Sequence, residues 1–341
     1  MRLRVFSLLA LGIVGSLPAN AQQATKSPVI RWGPTNVEWG FFDGSQKPIV
    51  TIKSGDTITI ETPLAGSKEM QDMGLSEELI RPAMRDLEAG VKDRFGGANI
   101  LVGPVFVEGA EPGDVLEVKI LEIGLSDTYG VNVFHPDHGA LGKEFPYLRA
   151  RAIHFDKSRN VGIVGPGIEI PLRPFFGTLG VAPVPAVGRI NDGPPGYYAG
   201  NLDNKDLVAG TTLYIPVQCK GALFSAGDGH AGQGDGEVDG TALEAALSGK
   251  FQLIVRKDMK LYWPRAESPD FIMTMGFDRD LDTAAEMAVR EMVAYLVAER
   301  HMSRDDAYML TSMAVDLRVT QIVDGVKGMH ALLPKKLFTQ W

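Results

Sequence analysis

The sequence predicts a mainly β protein: a β-sandwich or barrel-like core with an α+β C-terminal portion. Three observations carry this. Segments of polar/apolar alternation recur through the first two-thirds of the chain. Turn formers are abundant, with 39 Gly and 21 Pro in 341 residues, as a loop-rich sandwich or barrel requires. Beyond about residue 265 the apolar spacing changes from the period of a strand to that of a helix.

The elements follow in chain order. Met1-Arg2-Leu3-Arg4 is basic, Val5 to Ser16 is almost wholly apolar, and Ala19-Asn20-Ala21 supplies small residues. This is the pattern of a secretory signal peptide, residues 1–21, cut before Gln22. The apolar run is too short to span a bilayer, so a soluble protein exported to a bacterial periplasm is expected. Residues 22–341 form the working unit, β-rich to about 265 and α+β over 266–341. Pro48 to Lys53 and Thr57 to Thr62 alternate around the Ser54-Gly55-Asp56 turn. Pro112-Gly113-Asp114 starts a similar strand in which Leu116, Val118 and Ile120 share a face. Met70 to Lys92 reads as an excursion or lid helix, and Gly139 to Tyr198 as long ordered loops. Further strands are expected at Gly162–Val164, Thr211–Val217 and Phe251–Tyr262. Thr241-x-x-Glu244 and Thr283-x-x-Glu286 have capping-box spacing. The first suggests a short helix through Leu247, with Glu244 as a cap. The second precedes Met287, Ala288, Met292, Val293, Leu296 and Val297 on one helical face. A second helix opens at Ser303-x-x-Asp306, and Leu317 to Val323 reads as a strand.

Composition limits the function. The formal net charge of −8 becomes −10 once Arg2 and Arg4 leave with the leader. No basic stripe exists for nucleic acid or anionic lipid. The single cysteine, Cys219, forbids an internal disulfide and reads as a small buried side chain.

The most informative segment runs from Gly227 to Glu237, Gly-Asp-Gly-His-Ala-Gly-Gln-Gly-Asp-Gly-Glu. Glycines permit tight turns, so this segment reads as a loop gathering Asp228, His230, Gln233, Asp235 and Glu237 towards one point. Carboxylates beside an imidazole suit a metal site or acid/base chemistry. The segment lacks the oxygen spacing of an EF-hand, and no Gly-x-Ser-x-Gly elbow occurs.

The chain resembles the acetamidase/formamidase family from about Trp39 to the C-terminus. The carriers are Trp39-Gly40-Phe41-Phe42-Asp43, Ser54-Gly55-Asp56, the run Gly103 to Asp114, Pro174-Phe175-Phe176-Gly177, Asn201-Leu202-Asp203 and Asp228 to Glu237. Pro264-Arg265-Ala266-Glu267, Met275-Gly276-Phe277-Asp278 and Asp316 to Gln321 complete the series. The resemblance implies hydrolysis of small aliphatic amides to a carboxylate and ammonia, on a β-sandwich-like fold, in a homo-oligomer with metal sites. It is incomplete at two positions. Family members often carry His where this chain has Glu38 and Asn99. Oxygen donors there would move metal preference from zinc towards a harder ion, or mark a different substrate.

Amide hydrolysis needs an activated water, a polarised carbonyl and a proton for the departing nitrogen. A divalent metal supplies the first two; zinc is expected, with calcium or another ion left open. Asp203, Asp228 and His230 are the candidate ligands, and Glu237, with His230, the candidate catalytic pair. Asp235 competes with Glu237 as base. Asn201, Gln233 and Phe176 are candidates for holding the amide, with Phe175 and Phe176 lining an acyl pocket. His135 and His138 flank a Pro turn whose exposure accounts for them without chemistry, and His330 is left undecided. A non-catalytic periplasmic binding protein, or a hydrolase of another amide-like C–N bond, are the alternative functions.

Overall fold

Alternating apolar side chains pair into two large sheets whose inner faces meet. The computed structural model describes residues 27–64, 67–72 and 74–338; the signal segment expected at 1–21 lies outside them. The first sheet has nine strands. Neighbour to neighbour they are Val29–Ile30, Thr57–Thr62, Leu247–Arg256, Val115–Leu125, Thr212–Pro216, Arg265–Glu267, Phe271–Asp278, Lys327–Pro334 and Asp316–Gln321. The second sheet runs Ile168–Pro171, Val161–Gly165, Arg149–Asp156, Tyr129–Phe134, Leu243–Glu244, Phe224–Gly232, Phe175–Val181 and Ala199–Asn201. Ile100–Glu108 branches from Phe224–Gly232 and carries Val37–Trp39 and Val50–Lys53.

Leu116, Val118 and Ile120 face the core, as period two demands. With Ile58, Ile60 and Phe251 from the same sheet they meet Val105, Phe176, Leu179 and Phe224 from the other. The Phe251 ring lies 5.3 Å from Phe176 and 5.9 Å from Phe224, edge to face in both cases.

At the C-terminal end, Lys327–Pro334 shows the division of labour along one strand. Met329, Ala331 and Leu333 turn to a helical layer, while Leu332 joins the sandwich core. That layer is the helix Leu281–Arg300, which presents Ala284, Ala288, Met292 and Leu296, followed by Arg304–Ala314. Its N-cap is Asp280, whose side chain accepts from the Thr283 N–H; the cap lies three residues before the one expected. Ser303 caps the second helix as its spacing predicts.

Three stretches differ from expectation. Phe224–Gly232 is a strand, so the first part of the glycine-rich segment is extended. Its glycines serve close packing: a Cβ on Gly229 would lie 2.4 Å from the Ala245 carbonyl oxygen. No helix forms after Thr241, because Leu243–Glu244 is taken up between Phe224–Gly232 and Tyr129–Phe134. Tertiary pairing overrides the capping pattern. Residues 139–198, read as loops, contain the strands Arg149–Asp156, Val161–Gly165, Ile168–Pro171, Phe175–Val181 and Arg189–Asn191. The expected lid is two short helices, Ser67–Asp72 and Pro82–Gly90. No helix among the described residues is long and apolar enough to cross a membrane.

Candidate functional site

Asp228 and His230 are two residues apart on Phe224–Gly232, so both project from one face. In the adjoining strand Phe175 and Phe176 pair with His230 and Gly229. Beyond it Asn201 pairs with Thr178. There the chain turns, with the backbone N–H groups of Leu202 and Asp203 donating to the Gly177 carbonyl at 2.9 and 3.1 Å. This brings Asp203 to Asp228. On the other side Glu244 lies opposite His230 in register. Glu237 arrives from the segment after the strand, which is held by Gly236 N–H donating to the Thr320 carbonyl (3.1 Å). Asp324 arrives from the turn after Asp316–Gln321, where Gln321 Oε1 accepts from Val323 and Asp324 N–H.

The result is one cluster of five carboxylates and an imidazole. Ligand atoms of Asp203, Asp228 and His230 lie within 4.8 Å of one another, as do those of His230, Glu237 and Glu244 and those of Asp203, Glu237 and Asp324. His230 Nε2 is 3.3 Å from both Asp228 Oδ1 and Glu244 Oε2. Asp203, Asp228 and Glu237 all have left-handed backbone, at φ of 45°, 55° and 47°. Non-glycine residues in that region carry strain that concentrates at functional sites.

Polar contacts aim these groups. Asn201 Nδ2 donates to Asp203 Oδ2 (2.7 Å) and Asp324 Oδ2 (3.2 Å). Its Oδ1 accepts from Thr178 Oγ1 (2.6 Å) and Asn99 Nδ2 (3.0 Å). Gln233 Nε2 donates to the carbonyls of Asp203 and Thr320, which leaves Gln233 Oε1 to accept from His230 Nδ1 at 3.1 Å. That fixes the His230 tautomer and turns Nε2 towards the carboxylates.

Electrostatics follow from burial. Desolvation and the charge of Glu237 hold Asp203 well above the ordinary carboxylate range. Glu237 is likewise held high by burial, against the opposing pull of His230. Asp324 is pushed up to about 6, chiefly by burial. Burial alone would raise Asp228, but His230 brings it below its usual value. Burial would lower His230; the surrounding Glu244 and Asp228 carboxylates raise it well above normal.

The donor set fits a divalent cation. Asp203 Oδ1 is buried without a hydrogen-bond partner. A bare imidazole nitrogen among carboxylates needs a proton or a metal. Gly177 leaves the space: a Cβ there would lie 2.2 Å from Asp228 Oδ2, 2.5 Å from Asp203 Oδ1 and 2.9 Å from His230 Cε1. The five carboxylates of the cluster line a cavity of about 490 Å³, with His230 buried beneath them.

The candidates sort by position. Asp203, Asp228, His230 and Glu237 come together; Asn201 and Asn99 stand on the cavity wall. Gln233 lies behind His230. Phe176 packs on Phe251 in the sandwich core, because strand alternation turns it from the face where Phe175 meets His230, with ring centroids 5.0 Å apart. Glu38 is buried behind the cavity, accepting from Ser225 Oγ at 2.7 Å. Burial pushes its carboxyl up to about 8. Asp192 is also pushed up to about 8, by burial and the charge of Asp228, against weaker pulls from the Asn99 and Gly40 N–H groups. Asp235 binds Arg318 and is not in the cluster. His138 stands at the cavity wall, while His330 is buried against Thr320 and Asp206. Glu244 and Asp324 are cluster members that the sequence reading missed. The first carried a capping pattern, the second an ordinary Asp-Gly turn.

The acetamidase/formamidase family model matches residues 46–193 and 188–340. The chain belongs to the acetamidase/formamidase family. It is similar to the acetamidase of Mycolicibacterium smegmatis, 28% identical over 55% of this chain and 58% of that protein. It is similar to the formamidase of Methylophilus methylotrophus, 31% identical over 40% of this chain and 46% of that one. The chain thus spans about half the length of the curated relatives it matches. The crystal structure of an acetamidase from Bacillus halodurans superposes with a TM-score of 0.78 at 33% identity, covering 91% of this chain and 98% of the other. The fold is therefore shared with that structure over most of the chain.

Proposed function

We propose that the protein hydrolyses small non-peptide amides, R–CO–NH2 + H2O → R–COO⁻ + NH4⁺, at the Asp203–Asp228–His230–Glu237 cluster. The observation that carries this is the convergence of these four side chains, of which Asp203, Asp228 and Glu237 line one cavity, with Asp203 Oδ1 buried and unpartnered. Family membership supports the same chemistry. Asp203, Asp228 and His230 would hold a divalent cation. Such an ion polarises a carbonyl and lowers the pKa of bound water.

The chain's own residues do the rest. Glu237 accepts a proton from the attacking water and returns it to the departing nitrogen, so the C–O bond forms and the C–N bond breaks with protons in balance. Burial suits Glu237 to this task by raising its proton affinity. Gln233 keeps the His230 tautomer, and Asn201 aims Asp203 and Asp324. The neighbouring carboxylates Glu244 and Asp324 keep the positive charge of the site in place.

The test is ammonia release from formamide, acetamide and longer amides, with metal analysis of the purified protein. Glu237→Gln should lower kcat about 10²–10⁴-fold with metal content unchanged, whereas Asp203→Asn should lose metal and activity together. No ammonia from any amide, with no bound metal, would end this reading. Export belongs to it too: residues 1–21 read as a leader, and the periplasmic protein should begin at Gln22 by N-terminal sequencing. Self-association, expected from the family resemblance, is checked by light scattering.

A further inference from the structure

We propose that the site is built for uncharged amides whose acyl group is apolar and larger than the methyl of acetamide. This rests on the amidase reading above and goes on to name the substrate class. The cavity of about 490 Å³ has two unlike walls. One holds Asp203, Asp228, Glu237, Glu244 and Asp324, together with Asn99 and Asn201. The other is formed by Pro63, Leu64, Ile100, Val131 and Val133. Behind that apolar wall Met70 packs with Ile80, Met84, Tyr129 and Val131 in a separate buried cluster. The wall is thus backed by the short helices Ser67–Asp72 and Pro82–Gly90 and by the strand Tyr129–Phe134.

Hydrolysis places the amide carbon at the acidic wall, since that is where water is activated. The acyl group then points into the remaining space. The single hydrogen of formamide or the methyl of acetamide leaves most of the cavity to water lying against apolar side chains. A larger apolar acyl group expels that water and buries surface against Leu64, Ile100 and Val133. Burial of one methylene strengthens binding by about fourfold. The gain appears in kcat/KM for each group that reaches the wall.

Charge sets the second half of the proposal. Among the described residues no Lys or Arg lines the cavity, which holds five carboxylates. His138 is the one basic side chain among the described lining residues, and it is exposed. An acyl group bearing its own carboxylate would set that charge against the apolar wall, away from the ion-holding cluster and with no Lys or Arg of the described lining to pair with, at a substantial cost.

The experiment measures kcat/KM by ammonia release for formamide, acetamide, butyramide, isobutyramide, benzamide and succinamate. Wild type is compared with Leu64→Ala and with the milder Ile100→Val. The wild-type series should rise about tenfold or more from acetamide to butyramide, with succinamate at or below formamide. Leu64→Ala, at a half-buried position that should fold, is expected to cut the butyramide-to-acetamide ratio several-fold while acetamide itself changes less than about twofold. Ile100→Val should shift the ratio in the same direction by less. A series that falls from formamide onward, efficient turnover of succinamate, or a Leu64→Ala loss equal for all amides would overturn the proposal while leaving the amidase reading intact. Ammonia from none of the amides would overturn the amidase reading, and this proposal with it.

Discussion

At Gly177 the space for a single methyl group decides whether three charged side chains can converge. Its backbone carbonyl anchors the turn that delivers Asp203, and its missing Cβ leaves room for Asp203, Asp228 and His230 to approach. Gly177 lies in a regular strand and does not belong to the positive-φ glycines, so alanine there is conformationally tolerable. Its added methyl, however, would sit 2.2 Å from Asp228 Oδ2. Gly177→Ala should therefore fold, with overpacking costing about 1–3 kcal/mol. Displacement of the cluster by a fraction of an ångström should reduce kcat about 10²-fold. Circular dichroism, a thermal melt and metal analysis check this; an alanine variant with full activity and metal would show that the three side chains do not work as a unit. Asp228 and His230 were legible in the sequence because one short glycine-rich segment sets a carboxylate and an imidazole two residues apart; that they share a face of a strand is seen only in the structure. Glu244 and Asp324 were not, because each reaches the cluster through pairing with a distant segment. Thr241-x-x-Glu244 satisfies a helix-start pattern equally well, and only the register with His230 shows its real use.

Elements carry the same lesson in larger pieces. The alternating strand from Val115 and the two C-terminal helices could be read locally, since period and capping are written in consecutive residues, although the first cap is Asp280 and not the expected Thr283. The strand character of Phe224–Gly232 could not, because glycine signals both a turn and a place where neighbouring backbones come close. The C-terminal strand Asp316–Gln321 acts on the site from outside. Arg318 donates from Nη1 to Asp206 Oδ2 (2.6 Å) and from Nε and Nη2 to Asp235 (3.0 and 2.8 Å). Asp206 follows Asp203, and Asp235 precedes Glu237, so one guanidinium ties together the two segments that carry the candidate ligand and the candidate base. Arg318→Ala should cost about 1–3 kcal/mol of stability, since the groups are partly buried and charge-assisted. It should also lower kcat more than KM changes, by loosening Glu237. Arg318→Lys should recover little, because an ammonium cannot span two carboxylates as a planar fork does. Equal kinetics for wild type and Arg318→Ala would assign the clamp to stability alone.

The whole molecule keeps acidic groups of opposite tendency, and their balance sets its stability against pH. Asp43 and Asp114 lie below the ordinary range: burial would raise them, but hydrogen bonds from Ser45 and Arg189 in one case and from Lys257 and the Glu111 N–H in the other prevail. Such groups stabilise the fold above about pH 4, and that contribution is lost as pH falls through their folded values. Glu38 and Asp192 do the reverse. Each is pushed by burial from near 4 to about 8, so in the folded protein each holds its proton where the unfolded chain has lost it. Their contribution is complete below about pH 4 and disappears as pH climbs towards 8. The two trends place maximum stability on the mildly acidic side of neutrality. Between about pH 5 and 8 the loss through Glu38 alone is on the order of a few kcal/mol. Glu38 is surrounded by Ser225, Asp43, Asp192 and Arg189, and Glu38→Gln keeps an oxygen for the Ser225 hydroxyl while removing the titration. With metal content held constant, thermal melts from pH 4 to 9 should show a descending alkaline limb for wild type and a flatter one for Glu38→Gln, the two curves separating as pH rises. Parallel curves would mean that Glu38 ionises freely in the folded state, and that burial behind the cavity does not control its proton.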